Sequence, residues 1–292
     1  MRIVAIDEAG YAPLLGPLVS SRVEFESLEP TSLTNSLLSS PFPIKDSKVL
    51  YNGRKTLHRL EQPVRSLYPE STTSGSYLKA VAEYGEPPFY WDPTVKLPLS
   101  TLSSLEPVSI LSSASGEVRF RGATSLYFSE QKFNHLYLET PNKAELLWSL
   151  LKGHIRAVLE KTKEDVLFLI DRLGSRRFYA AHLWELFQKL PDAVRETQNC
   201  SEYRFVQKDR IVWFCIKTAA DLTEPPVSLA SIFSKYLREL FLHCLCKYFG
   251  ERLGEEVQVS GYRDRRTKEF IRQIEKRLDE WRISKEQLIR IA

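Results

Sequence analysis

Two short apolar runs in this chain each stop at an acid. Ile3-Val4-Ala5-Ile6 runs into Asp7-Glu8, and Val166-Leu167-Phe168-Leu169-Ile170 runs into Asp171. Runs this short and this free of polar residues read as strands buried on both faces. Such strands need helices above and below them, so the chain is expected to be α/β with a mixed sheet. Acids at strand ends lie at the rim of the sheet, where open α/β sheets place their sites. Clustered carboxylates repel one another unless a cation neutralises them. Hard oxygen donors favour Mg²⁺ or Mn²⁺. The competing reading is that Asp7 and Asp171 only cap the turns that follow.

Residues around these runs extend the pattern. Leu18 to Phe25 and Glu117 to Phe128 carry strand character, and Tyr203 to Val206 with Ile211 to Ile216 reads as a strand pair. Helical spacing is expected over Asn52 to Leu67, Pro141 to Lys161, Arg177 to Leu190, Val227 to Phe249 and Thr267 to Ala292. Residues 68–116 differ: a Ser/Thr cluster at 71–76 and Pro87, Pro88, Pro93, Pro98 and Pro107 predict an irregular insertion or small cap. The expected organisation is one domain over residues 1–260 carrying that insertion, followed by a C-terminal helical extension over 261–292.

Other classes are disfavoured. The 292 residues suffice for a large core without disulfide staples. The four cysteines form no C-x-x-C pair, and the five histidines show no ligand spacing, so reduced thiols in a cytoplasmic chain are expected. The longest clean apolar run is too short for a bilayer, and the N-terminus lacks a signal-peptide pattern, so neither membrane nor secretion is expected. No G-x-G-x-x-G or P-loop occurs. A net charge of +4 permits a nucleic-acid partner without requiring one.

Asp7-Glu8-Ala9-Gly10-Tyr11-Ala12-Pro13-Leu14-Leu15-Gly16-Pro17-Leu18-Val19 resembles the opening signature of the type 2 ribonucleases H, D-E-A-G-R-G-P-x-x-G-P-[VL]-V, in order and spacing. Asp46-Ser47-Lys48-Val49-Leu50 is similar to the family's D-S-K-K-L. Asp171 ends a strand where the family carries its third acid. Asp221, ten positions before Ser231 in Val227-Ser228-Leu229-Ala230-Ser231-Ile232-Phe233-Ser234-Lys235, resembles the fourth-acid motif, and Gly261-Tyr262 resembles the late G-Y-x-T.

The resemblance implies a ribonuclease H-like α/β fold, a mixed β-sheet flanked by helices. It implies that Asp7, Glu8, Asp171 and Asp221 are catalytic and hold two divalent cations, Mg²⁺ or Mn²⁺. Glu239 stands in reserve for the fourth ligand. It implies substrate contacts from Gly10, Tyr11, Ala12, Lys48 and Tyr262, with the tyrosine packing on the sugar and checking the 2′-hydroxyl that DNA lacks. Lys48 and Lys235 are candidates for phosphate contacts or for orienting an acid. The implied activity is hydrolysis of the RNA strand of RNA–DNA hybrids, or of ribonucleotides embedded in duplex DNA; separately from the resemblance, a monomer is expected. The chain departs from the family where Gly-Arg-Gly is replaced by Gly10-Tyr11-Ala12, because a tyrosine offers no fork of donors to a phosphate. That departure keeps two alternatives open: a non-catalytic nucleic-acid-binding protein of the same fold, and a nuclease with a changed substrate.

Overall fold

A computed structural model describes residues 1–40, 44, 51, 53, 56–101 and 118–291. An eight-stranded mixed sheet forms its centre, in the order β3-β4-β2-β1-β5-β8-β7-β6. The strands are β1 (Arg2–Ala9), β2 (Leu18–Ser27), β3 (Ala82–Tyr84), β4 (Val118–Phe128), β5 (Val166–Asp171), β6 (Ala193–Glu196), β7 (Cys200–Gln207) and β8 (Arg210–Lys217). The β1–β2 and β2–β4 pairs are antiparallel, whereas β1, β5 and β8 run parallel. The β8–β7–β6 edge is antiparallel again. The expected α/β fold with a mixed sheet is therefore what the chain adopts.

Alternation along β1 explains the apolar run. Ile3 and Ala5 enter one core and Val4 and Ile6 the other, and all four are buried. Strand β5 repeats this, with Leu169 on the first face and Phe168 and Ile170 on the second. The first face packs against α8 (Pro225–Leu253), with α1 (Pro30–Leu38), α2 (His58–Leu67), α3 (Ser74–Val81) and α9 (Arg265–Glu275) contributing around it. The second face is covered by α4 (Glu130–Glu139), α5 (Lys143–Lys161) and α6 (Ala180–Phe187). No helix among the described residues is long and apolar enough to cross a membrane.

Several elements differ from the sequence expectation. Residues 68–101 are only partly irregular: the proline-bearing stretch 85–101 forms no helix or strand, whereas 74–84 is regular. They contain α3, add β3 to the sheet edge beside β4, and bury Tyr77, Val81, Tyr90, Val95 and Leu97 in the first core. One buried carboxylate ties them down: Glu61 accepts from the backbone N–H groups of Leu99 (2.6 Å) and Ser100 (2.9 Å), and from the Tyr236 hydroxyl on α8 (2.8 Å). Residues 102–117 lie outside the described residues. The C-terminal helix is shorter than its periodicity suggests. It ends at Glu275, and Arg282 takes a left-handed φ of 56°. From there the chain runs back as an arm against α4, through a short 3-10 turn at Lys285–Gln287, and Asn134 donates to the carbonyls of Glu286 (2.9 Å) and Ile289 (2.7 Å) and accepts from the Ile291 N–H (2.9 Å).

Candidate active site

Strand parity and register place the acids. Asp7 continues the Ile3–Ala5 face of β1, and Asp171 continues the Leu167–Leu169 face of β5, so both point toward α8. Ile6 lies opposite Ile170 in the parallel register, which brings the two acids side by side at the strand ends. Asp221 arrives from β8 through Ala219, which turns the chain in the left-handed region (φ 52°), into the single turn α7 (Ala220–Thr223). That turn is fixed to Asp171, whose Oδ1 accepts from the Ala220 N–H at 2.7 Å. Asp7, Glu8, Asp171 and Asp221 all line one cleft of about 900 Å³.

The charges in this cleft oppose one another. Burial and the charge of Asp171 push the Asp7 carboxyl up to about 7. Burial, then Asp7 and Asp171, hold Glu8 well above the usual carboxylate range, and Asp221 adds to the effect. A cation among these carboxylates would relieve that opposition. The donors are all carboxylate oxygens, which suits Mg²⁺ or Mn²⁺.

Helix α8 supplies the opposite wall. It is buried along most of its length, yet Ser231, Lys235, Arg238 and Glu239 recur on one of its faces and line the cleft. Ser231 hydrogen-bonds the Asp7 carboxylate, and the Lys235 charge favours its ionised form. Ser234 donates to the Asp7 carbonyl at 2.9 Å. Arg238 is the residue that sequence reasoning undervalued. Its guanidinium donates to Glu239 (3.0 Å) and to the Ser260 carbonyl (2.9 Å), and lies 5.0 Å from the Tyr262 ring centroid. A polar stripe at i, i+4, i+7 and i+8 within an apolar helix was the signal for it.

The loop after β1 is held from two sides. Gly10 sits at φ +89°, and a Cβ there would fall 2.5 Å from the Pro17 carbonyl; Gly261, at φ +76°, would meet the Leu15 carbonyl at 2.6 Å. These close approaches let the Gly261 carbonyl accept from the N–H groups of Leu14 (2.8 Å) and Leu15 (3.1 Å), so Tyr262 stands beside the loop. Arg290 closes it from the arm. It donates to the carbonyls of Gly10 and Tyr11, with its guanidinium 3.9 Å from the Phe133 ring centroid. Glu130 completes the support by accepting from the Gly16 N–H (2.8 Å) and the Tyr90 hydroxyl (2.7 Å).

Gly10, Tyr11, Ala12 and Tyr262 therefore line the same cleft as the acids. Tyr262 is 47% exposed and open to a ligand. Tyr11 is half-buried; burial and the Glu8 charge raise its phenol, and Lys143 lies 5.9 Å from its ring centroid. Glu239 is held by Arg238 in the same cleft, while Asp221 is the acid that couples to Glu8. Lys48 lies outside the described residues. Of the basic cluster after β5, Arg176 is engaged with Glu145 and His182, and its charge reaches Tyr11 on the cleft wall.

We expect Arg290→Ala to cost about 2–4 kcal/mol, because it leaves two carbonyls unpaired and removes a ring contact. For a chain of this size the thermal midpoint should fall by roughly 3–7 °C. An unchanged midpoint in thermal unfolding would contradict this account of the loop.

The architecture is a ribonuclease H-like α/β fold: a mixed sheet covered by helices on both faces, with acids at the ends of its central parallel strands. Solved structures of type 2 ribonucleases H share this fold. Ribonuclease HII from Archaeoglobus fulgidus, solved in complex with PCNA, matches with a TM-score of 0.55 at 18% identity, over 100% of this chain and 94% of that one. Ribonuclease H2 from Pyrococcus horikoshii OT3 matches at 0.51 and 17%, over 99% and 92%. A variant of Bst-RNase HIII matches at 0.52 and 12%, over 99% and 66%. No family model and no curated protein matches the sequence.

Proposed function

We propose that this chain is a divalent-metal-dependent endonuclease of the ribonuclease H type, cutting the RNA strand of RNA–DNA hybrids or at a ribonucleotide embedded in duplex DNA. The observation that carries this reading is the convergence of four carboxylates in one cleft, with Asp7 pushed up to about 7 by burial and by Asp171. Asp7, Glu8, Asp171 and Asp221 would hold two Mg²⁺ or Mn²⁺ ions. When bound, such a pair supplies an activated water at neutral pH and neutralises charge at the departing 3′-oxygen.

The rest of the work falls to the chain's own groups. Ser231 and Lys235 favour the ionised form of Asp7 and keep its carboxylate facing the cleft. Tyr262, steadied on the Arg238 guanidinium, presents a flat exposed surface on which a sugar could rest beside the acids. Gly10, Tyr11 and Ala12 form the neighbouring wall, and Arg290 occupies the carbonyls of Gly10 and Tyr11 so that the wall keeps one shape. Tyr11 puts a neutral phenol where the family signature has a guanidinium. This favours a substrate preference different from that of ribonuclease HII, and it is the second reading we carry. The four free thiols fit a cytoplasmic chain.

The test is cleavage of a labelled RNA–DNA hybrid, a DNA duplex with one ribonucleotide, a DNA duplex and a structured RNA, each with Mg²⁺, Mn²⁺ or chelator. We expect metal-dependent cutting of one of the first two substrates, leaving a 3′-hydroxyl. Cutting confined to the last two would favour the changed-substrate reading. Failure on all four by folded protein would overturn nuclease activity and leave a binding role.

A further inference from the structure

Beyond β5, the face of the sheet that carries Asp7 and Asp171 loses its helical cover, because α8 packs mainly on β1 and β2. On that open face, β7 and β8 present Cys200, Glu202, Cys215 and Lys217, all half-buried. Glu202 lies directly opposite Cys215, and Cys200 opposite Lys217. Ligand atoms of Cys200, Glu202 and Cys215 fall within 4.8 Å of one another. The two Sγ atoms are 3.9 Å apart, and Cys200 Sγ is 3.7 Å from Glu202 Oε1.

These edges match a tetrahedral ion of the zinc class. Metal–sulfur bonds of about 2.3 Å set two thiolates about 3.8 Å apart, and a metal–oxygen bond of about 2.0 Å sets thiolate and carboxylate about 3.5 Å apart. A disulfide would instead need the sulfurs at about 2.05 Å. Two thiolates and a carboxylate are also softer donors than the four acids of the cleft, so the two places select different ions. The divalent ion offsets two of the three negative charges, and Lys217, ion-paired with Glu224, lies opposite Cys200 beside them. Glu202 is now shared with Arg195 at 3.6 Å, a half-exposed contact that an ion could displace.

We propose that Cys200, Glu202 and Cys215 form a second metal site, separate from the acidic cleft, for a thiophilic divalent cation such as Zn²⁺, with its fourth position open to water. Binding releases the two thiol protons to solvent. The site would fasten β7 to β8 just before the corner that carries the acids: the Lys217 carbonyl accepts from the Arg172 N–H (2.9 Å), Lys217 lies opposite Asp171, and Asp221 follows four residues later.

The experiment is titration of the reduced full chain with Cd²⁺, following the thiolate-to-metal charge-transfer absorbance. Saturation at one Cd²⁺ per chain is expected, with the band lost in both Cys200→Ser and Cys215→Ser. A Cys244→Ser/Cys246→Ser control, which alters only the two cysteines buried in α8, should keep it. Far-ultraviolet circular dichroism identifies any variant that fails to fold, and Glu202→Gln, with both thiols intact, should weaken Cd²⁺ at least tenfold. No band in the wild type, or a band that survives Cys215→Ser, would overturn the proposal. Neither result bears on nuclease activity, because carboxylate sites give no thiolate band.

Discussion

Asp171→Asn should abolish metal-dependent cleavage while leaving the protein folded. The side chain keeps its shape, and its Oδ1 can still accept from the Ala220 N–H, the bond that fixes α7. What is lost is one negative charge at the junction of β1, β5 and α7. If that charge holds a cation, its loss removes several kcal/mol of transition-state stabilisation. A loss of about 4 kcal/mol corresponds to roughly a thousandfold in rate. Without metal the same substitution should be neutral or mildly stabilising, since the charge of Asp171 is what helps raise Asp7 and Glu8. Single-turnover cleavage together with chemical denaturation in chelator checks both halves. A variant that retains more than about a tenth of wild-type cleavage would sink the assignment.

The second large effect concerns stability against pH in metal-free protein. The Asp7 carboxyl rises from 3.8 to about 7 on folding. Between those values the folded chain holds a proton that the unfolded chain has released, so this group's contribution is full below about pH 4 and is lost as pH rises through about 7. A shift of this size corresponds to roughly 4 kcal/mol. His154 runs the other way. Burial and the Arg22 charge hold it at about 3, and its Nε2 faces the Ser20 carbonyl while Nδ1 faces Arg22. Its neutral form therefore gains stability as pH rises from about 3 to about 6.5. The informative quantity is the difference between wild type and Asp7→Asn, measured by denaturant unfolding in chelator across about pH 5 to 8. That difference should move against the wild type as pH rises, and saturating Mg²⁺ should reverse it. A difference independent of pH would mean that the acids do not oppose one another.

Much of this was legible in the sequence because burial on both faces leaves a plain record. β1 from Ile3 and β5 from Val166 are apolar at every position until the acid, and α5 carries a continuous apolar stripe. The spacing from Asp221 to Ser231 set the last acid against α8. What was not legible depends on partners far along the chain. Residues 68–101 look irregular by their prolines, and their order comes from tertiary bonds such as those of Glu61 to Leu99 and Ser100. The short helices α1 and α4 and the exposed strand β6 have too few periodic positions to stand out. Arg290 sits in a charged tail whose pattern suggests a solvated helix, and only its target, the carbonyls of Gly10 and Tyr11, reveals its role.

That contact spans 280 positions, which has a consequence for how the protein comes into being. Translation at about 5–20 residues per second means that residue 10 waits tens of seconds for residue 290. During that interval the nascent chain comes to carry all four acids, yet the wall that would grip a substrate is still without its pin. A ribosome that stalls between Asp221 and Arg290 yields a polypeptide that carries all four acids while the loop at Gly10 and Tyr11 still lacks its pin.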